Sequence, residues 1–336
     1  MRPARSPTAR SNPDEVLTVT FSSMFTYRIA RCEYSTQPLE WIVTETHVSP
    51  RPFTSVWSDL REVEFSQGFI QAGPYRTRYL HAGDPSKPAL VMLHGITGHA
   101  EAYVRNLRAH AEHFSCWAID FIGHGYSDKP DHPLEVKHYI EQVLAFLDAI
   151  GVQKASFTGE SLGGWVTAQL AIDHPDRVER IVLNTMGGTM ANPQVMERLY
   201  TLSMEAAKDP SWERVKARLE WLMADPSMVT DDLIKTRQAI FQQPGWLRAC
   251  ENNMALQNLE IRKRNMLTDE ALGAILAPAL VLWTTKDPSG PVTEAQRIAS
   301  LIPGAKLAVM ENCGHWPQYE DTETFDQIHL DFLLDR

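Results

Sequence analysis

Short, almost wholly apolar runs recur along most of this 336-residue chain: Ala89–Leu93, Cys116–Ile119, Ala155–Thr158, Ile181–Leu183, Ala279–Trp283 and Leu307–Met310. A strand with one wet face alternates apolar and polar residues, so runs this uniform read as strands covered on both faces. Helix-length segments stand between most of them, such as Val136–Ile150 and Leu162–His174, the second stopped by Pro175. This alternation predicts an α/β architecture, a mostly parallel sheet with helices on both faces. Ahead of it, Arg61–Phe65 and Tyr75–His81 alternate in polarity on either side of the turn signal Gln71-Ala72-Gly73-Pro74. They are expected as half-exposed antiparallel strands.

One stretch breaks the rhythm. From about Asn192 to Ala274 only helical patterns occur, with Trp212, Val215, Leu219, Leu222 and Met223 at helical spacing. The expected organisation is an N-terminal extension over 1–59, partly disordered, a core formed by 60–190 and 275–336, and a helical cap over 191–274. The first residues are Arg- and Ser-rich and lack the apolar centre of a secretory signal; Met24 is an alternative natural start. Lys and Arg total 32 against 42 Asp and Glu, a net charge of −10. An acidic surface of this kind argues against nucleic acid as the main partner. No apolar run reaches the length of a membrane span. The four cysteines (Cys32, Cys116, Cys250 and Cys313) lie far apart and form no CxxC pair, which fits reduced thiols and a cytoplasmic location. His110 and His113 stand at helical spacing without a third ligand, so they are expected as a surface pair and not as a metal site.

The chemistry centres on Gly159-Glu160-Ser161-Leu162-Gly163, which follows the apolar run Ala155–Thr158 and opens a helix. G-x-S-x-G between strand and helix places a serine on a tight turn above the strand ends. The residues two before and two after must be small for strand and helix to approach. The amide of Leu162 at the helix N-terminus is then poised to stabilise an oxyanion. A serine hydroxyl needs a base, and His315 follows the last apolar run. The base needs an orienting acid, and Asp287 follows Ala279–Trp283. All three come after predicted strands, in the order Ser, Asp, His. The second oxyanion donor is expected from the loop Leu93-His94-Gly95-Ile96-Thr97-Gly98, with the amide of Ile96 as the candidate and His94 as a structural loop residue.

Taken together, Leu93-His94-Gly95, Asp120–Ser127, Gly159–Gly163, Asp287 and Gly314-His315 resemble the α/β-hydrolase superfamily over about residues 60–334. The resemblance implies the α/β-hydrolase fold, a structural role for Asp120–Ser127 and no catalytic role for His124. Cys313-Gly314-His315-Trp316-Pro317-Gln318-Tyr319-Glu320 and the stretch Asp225–Arg237 are similar to the meta-cleavage-product hydrolases, which break C–C bonds in aromatic catabolism. That similarity implies Arg237 as a binder of the substrate's keto-acid end and Trp316 as a pocket wall. The sequence departs from those relatives in two places: Glu160 stands where they usually have Asn, and Ile96-Thr97-Gly98-His99 replaces a Gly-rich, Pro-containing loop. Glu160 is therefore a candidate substrate-binding residue, or points aside to hydrogen-bond loop amides.

The resulting expectation is a serine-type hydrolase that needs no cofactor or metal and acts on a small apolar substrate with a carbonyl group. The bond is C–C in a 2-hydroxy-6-oxo-hexa-2,4-dienoate, or alternatively that of a bulky carboxylic ester or lactone. A non-enzymatic small-molecule receptor on the same fold is the other class. A homo-oligomer is left open.

Overall fold

The computed structural model describes residues 55–336 and, before them, the backbone of three strands. Eleven strands form one sheet: β1 (Leu17–Phe21), β2 (Phe25–Ile29), β3 (Trp41–Thr44), β4 (Phe65–Ala72), β5 (Tyr75–Ala82), β6 (Ala89–Leu93), β7 (Ser115–Ile119), β8 (Ala155–Glu160), β9 (Val178–Asn184), β10 (Ala279–Thr284) and β11 (Lys306–Met310). Their order is β1-β2-β3-β11-β10-β9-β8-β6-β7-β5-β4. Pairing is parallel from β7 through β6, β8, β9, β10 and β11 to β3, and antiparallel at both ends. Every predicted apolar run is a strand of this sheet. The physical reason is visible in β6, β8 and β10, each buried along its whole length, with helices such as Val136–Ala149 and Leu162–Asp173 packed over the sheet.

Three expectations need correction. The first hairpin strand starts at Phe65, not Arg61: the register Phe65↔Ala82 to Ala72↔Tyr75 exhausts the partner strand, so residues 61–64 have nothing to pair with. Gly73 sits in the connecting turn at φ 58, a conformation glycine adopts readily. Next, His110 is no surface residue. It is fully buried, with Nδ1 2.7 Å from the Asn106 carbonyl and Nε2 2.8 Å from His329 Nδ1, a partner 219 positions away. Lastly, β1–β3 extend the sheet beyond β11 from a region where no strand was expected. The expected partial disorder of the extension otherwise falls on residues outside the described ones.

Between β9 and β10 the chain forms the helices Pro193–Lys208, Trp212–Glu220, Asp231–Phe241, Trp246–Asn253, Leu259–Asn265 and Asp269–Gly273. Their starts are written locally: Asn192, Thr230, Asn258 and Thr268 each accept a hydrogen bond from a first-turn amide. Val215, Leu219, Leu222 and Met223 are buried there, as their spacing predicts. No helix among the described residues is long and apolar enough to cross a membrane.

Candidate active site

Ser161 sits at φ 56, ψ −108 between β8 and the helix Leu162–Asp173. A Cβ on Gly159 would collide with the Gly163 carbonyl, and one on Gly163 with the carbonyl of Leu93 in β6. The two glycines are thus required by the approach of strand, helix and neighbouring strand around the turn. Positive φ in a non-glycine residue is unfavourable and persists only where the surroundings enforce it. Among the described residues there are five, and four lie just past strand ends: Thr97 after β6, Ser161 after β8, Thr185 after β9 and Asn312 after β11. Strain is therefore concentrated along one edge of the sheet. Ile96, Ser161, Leu162 and Ser289 line one cleft there, with Trp165, Met186, Met190, Leu199 and Leu256 supplying apolar walls.

His315, in the loop after β11, is buried and fastened on several sides. Its amide donates to the Leu222 carbonyl (2.6 Å), and its carbonyl accepts from Thr185 Oγ1 (3.0 Å). Its Nδ1 lies 2.9 Å from Asp287 Oδ1. Its Nε2 lies 3.2 Å from Glu160 Oε1. The serine and histidine thus reach the same edge, yet the described hydrogen bonds include none between Ser161 and His315. Burial by itself would push the His315 pKa down. The charge and hydrogen bond of Asp287, then those of Glu160, outweigh it and raise the pKa to about 10.

Glu160 is 1% exposed, and it bonds a loop amide while also facing His315, a contact the sequence reading did not consider. Its Oε2 accepts the Gly95 amide at 2.6 Å, while Oε1 faces His315. A Cβ on Gly95 would stand 2.5 Å from both carboxylate oxygens, so glycine is the residue that fits. His94 is a structural loop residue. Its Nε2 accepts the Phe121 amide (3.1 Å), which puts its proton on Nδ1 to donate to the Gly95 carbonyl (2.7 Å). Burial lowers its pKa to about 4. Asp120 braces the same corner, accepting from the amides of Ala100 (2.7 Å) and Tyr126 (2.8 Å).

Arg237 lies fully buried on the helix Asp231–Phe241, and none of its three guanidinium nitrogens has a hydrogen-bond partner. Its guanidinium stands 5.2 Å from the ring of Trp316, itself buried. Arg218, on Trp212–Glu220, is buried beside it; Nη2 reaches Thr97 Oγ1 (3.3 Å), Nε reaches Ser203 Oγ (3.1 Å), and Nη1 has no partner. Burial, then repulsion from Arg218, lowers the Arg237 pKa to about 9, against the pull of Glu160 and Glu101. Such a pair of cations without carboxylate partners is suited to an anionic ligand.

Several residues with positional roles escaped the sequence reading. Ser289 Oγ lies 3.2 Å from His315 Nδ1, and its amide donates to Asp287 Oδ1 (2.8 Å). Its place two residues after Asp287 was the available signal. Glu320 accepts from the amides of Ala224 (2.7 Å) and Gly314 (2.8 Å), tying the helical segment to the His315 loop. Arg218 carried only the signal of a helical charge. Among the described residues no group of His, Cys, Asp or Glu is arranged to hold a metal ion, and Cys116, Cys250 and Cys313 are buried free thiols.

A family model described as "Alpha/beta hydrolase family" matches residues 90–327. The chain is 32% identical over 195 residues to a 2-hydroxy-6-oxo-6-phenylhexa-2,4-dienoate hydrolase of Burkholderia cepacia, a match covering 57% of this chain and 66% of the relative's length. It is 32% identical over 269 residues to a 2-hydroxy-6-oxononadienedioate/2-hydroxy-6-oxononatrienedioate hydrolase of Burkholderia vietnamiensis strain G4, covering 77% of this chain and 91% of that protein. Among solved structures, a 2-hydroxy-6-oxo-6-phenylhexa-2,4-dienoate hydrolase from Rhodococcus sp. strain RHA1 superposes with a TM-score of 0.73 at 26% identity, covering 81% of this chain and 99% of that one. By its strained serine turn, its sheet order and these likenesses, the chain belongs to the alpha/beta hydrolase family and is similar within it to hydrolases of 2-hydroxy-6-oxo-dienoates.

Proposed function

We propose that the chain is a serine hydrolase of C–C bonds in a 2-hydroxy-6-oxo-hexa-2,4-dienoate, with Ser161 as nucleophile, His315 as its base and Asp287 orienting His315. The amides of Ile96 and Leu162 hold the oxyanion, and the helices of residues 193–273 act as a cap over the apolar cleft. The observation that carries a dienoate over a plain ester is Arg237. A guanidinium buried with every nitrogen unpartnered is costly unless a ligand supplies the missing anion. A substrate with a carboxylate and an enolate at one end supplies it; a neutral ester does not. The apolar cleft walls suit the other end.

The two carboxylates facing His315, which raise its pKa to about 10, fit the same reading. An imidazolium is an acid before it is a base. A dienolate can use it as such: a proton moves from His315 to a substrate carbon, a C–H bond forms from the C=C pair, and the enolate oxygen becomes a ketone. His315 is then neutral and able to take the Ser161 proton as the hydroxyl attacks the second ketone. Collapse of the tetrahedral intermediate breaks the C–C bond, its electron pair leaves as a dienolate that takes the proton from His315, and water, its proton accepted by His315, hydrolyses the acyl-enzyme.

The test is spectrophotometric. A yellow meta-cleavage dienoate should bleach on mixing with the protein, and Ser161→Ala should reduce kcat by three or more orders of magnitude. Turnover of p-nitrophenyl esters with an unbleached dienoate would replace the C–C reading by the ester reading. Folded protein whose Ser161 resists a fluorophosphonate even at alkaline pH, where His315 is neutral, would indicate a receptor instead.

A further inference from the structure

We propose that Glu160 is a positioning residue: by engaging His315 Nε2 it keeps the imidazole doubly protonated at rest and Ser161 unactivated until a proton-accepting substrate enters. The inference rests on the serine-hydrolase reading and deepens it by naming what restrains the base.

The argument begins with protons and distances. A neutral imidazole carries one N–H, an imidazolium two. Nδ1 of His315 is 2.9 Å from Asp287 Oδ1 and Nε2 is 3.2 Å from Glu160 Oε1, so both ring nitrogens face a carboxylate. A ring with a carboxylate oxygen facing each nitrogen is best matched as the two-donor imidazolium. Nδ1 is committed to Asp287, so Nε2 is the atom that must receive the Ser161 proton, and Glu160 occupies it. Glu160 has little freedom to leave. It is 1% exposed, its other oxygen is held by the Gly95 amide at 2.6 Å, and the glycine packs directly against it.

The surroundings act in the same direction from every side. Asp287 and Ser289 face Nδ1 from the loop after β10. From the helical segment Arg218 and Arg237 face Glu160, whose charge acts to raise the pKa of each against burial. His94, on the far side of Glu160, is buried and held neutral. Loss of the Nε2 proton to a dienolate carbon frees the lone pair for Ser161. An ester brings no such acceptor and meets a protonated base.

The experiment compares wild type with Glu160→Gln, which preserves the shape and an acceptor for the Gly95 amide but removes the charge. The readout is the rate of Ser161 labelling by a fluorophosphonate against pH, which needs no dienoate. Wild-type labelling should rise through an alkaline inflection. In Glu160→Gln the inflection should fall by at least one pH unit, with labelling at pH 7 faster by about tenfold per unit. An unmoved inflection, with labelling merely slower at every pH, would assign Glu160 a packing role and overturn the proposal. Should the variant not fold, ¹⁵N-histidine NMR of the wild type decides. A His315 ring protonated on both nitrogens at pH 8 is expected, and a neutral ring at pH 7 overturns the proposal. A dienoate that fails to bleach while the inflection moves as stated would end the substrate reading and leave this one standing.

Discussion

Two buried arginines in different regions of the molecule are treated in opposite ways. Arg78, on β5, donates to both oxygens of Glu101 (3.0 and 2.6 Å) and to Asp120 (3.3 Å), and these partners raise its pKa against the opposing effect of burial. Arg237, in the helical segment, has no hydrogen-bond partner among the described residues, and burial lowers its pKa to about 9. The sheet neutralises its charges internally, as a rigid framework must, because an uncompensated charge in a low-dielectric interior is destabilising. The helical segment leaves Arg237 and one nitrogen of Arg218 open. Arg78 is thus part of the architecture, and the open guanidinium of Arg237 is the basis for proposing it as a ligand contact.

The largest effect that would sharpen this contrast is on stability. Arg78→Met should destabilise the fold by about 3–5 kcal/mol, because Glu101 and Asp120 lose the cation between them and keep only His99 and backbone amides as partners. The denaturant midpoint measures it, and a loss near zero would break the distinction. Arg237→Met should do the reverse, leaving stability unchanged or raising it by about 1–3 kcal/mol. The same variant should raise KM for a dienoate by about ten- to a hundredfold, on the order of 1–3 kcal/mol of lost carboxylate binding. An ester without a carboxylate should be turned over as before. A destabilised Arg237→Met would show that the cation is structural after all.

The smallest effect concerns pH. The His315 pKa is raised in the folded protein, from an ordinary 6.5 to about 10, so its folded state binds a proton the unfolded chain has lost. That contribution is complete below pH 6.5 and disappears as pH rises through about 10. Its slope cannot exceed about 1.4 kcal/mol per pH unit for one proton. Denaturant titrations at pH 7 and 8 should show wild type losing more stability than His315→Gln over that interval. Parallel losses would indicate that the imidazole is neutral in the fold.

The strands were legible because uniform apolarity has one cause, burial on both faces, and β6, β8 and β10 show it at every residue. The serine turn was legible because its glycines answer to local contacts within the motif and with β6. Other features were hidden for equally physical reasons. His110 was misplaced because helical spacing says where a side chain points and not what lies opposite, here His329 from the last helix. The start of β4 was misplaced because alternation of polarity carries no information about where the partner strand ends. Arg237 carried the resemblance, but nothing in its neighbourhood in the chain says that Asp231 and Asp232 would leave it unpaired.

The linear order of residues determined which side chains could do chemistry and that Ser161, Asp287 and His315 would all emerge past strand ends, because strand direction in a parallel sheet sends every such loop to one side. Tertiary structure decided which partner each group finds there. The imidazole meets Glu160 at 3.2 Å, and Arg237 and Arg218 meet no carboxylate at hydrogen-bond distance. Those outcomes depend on rotamers and on the packing of a helical segment against the sheet edge, and contacts between residues more than a hundred positions apart leave no mark in local sequence.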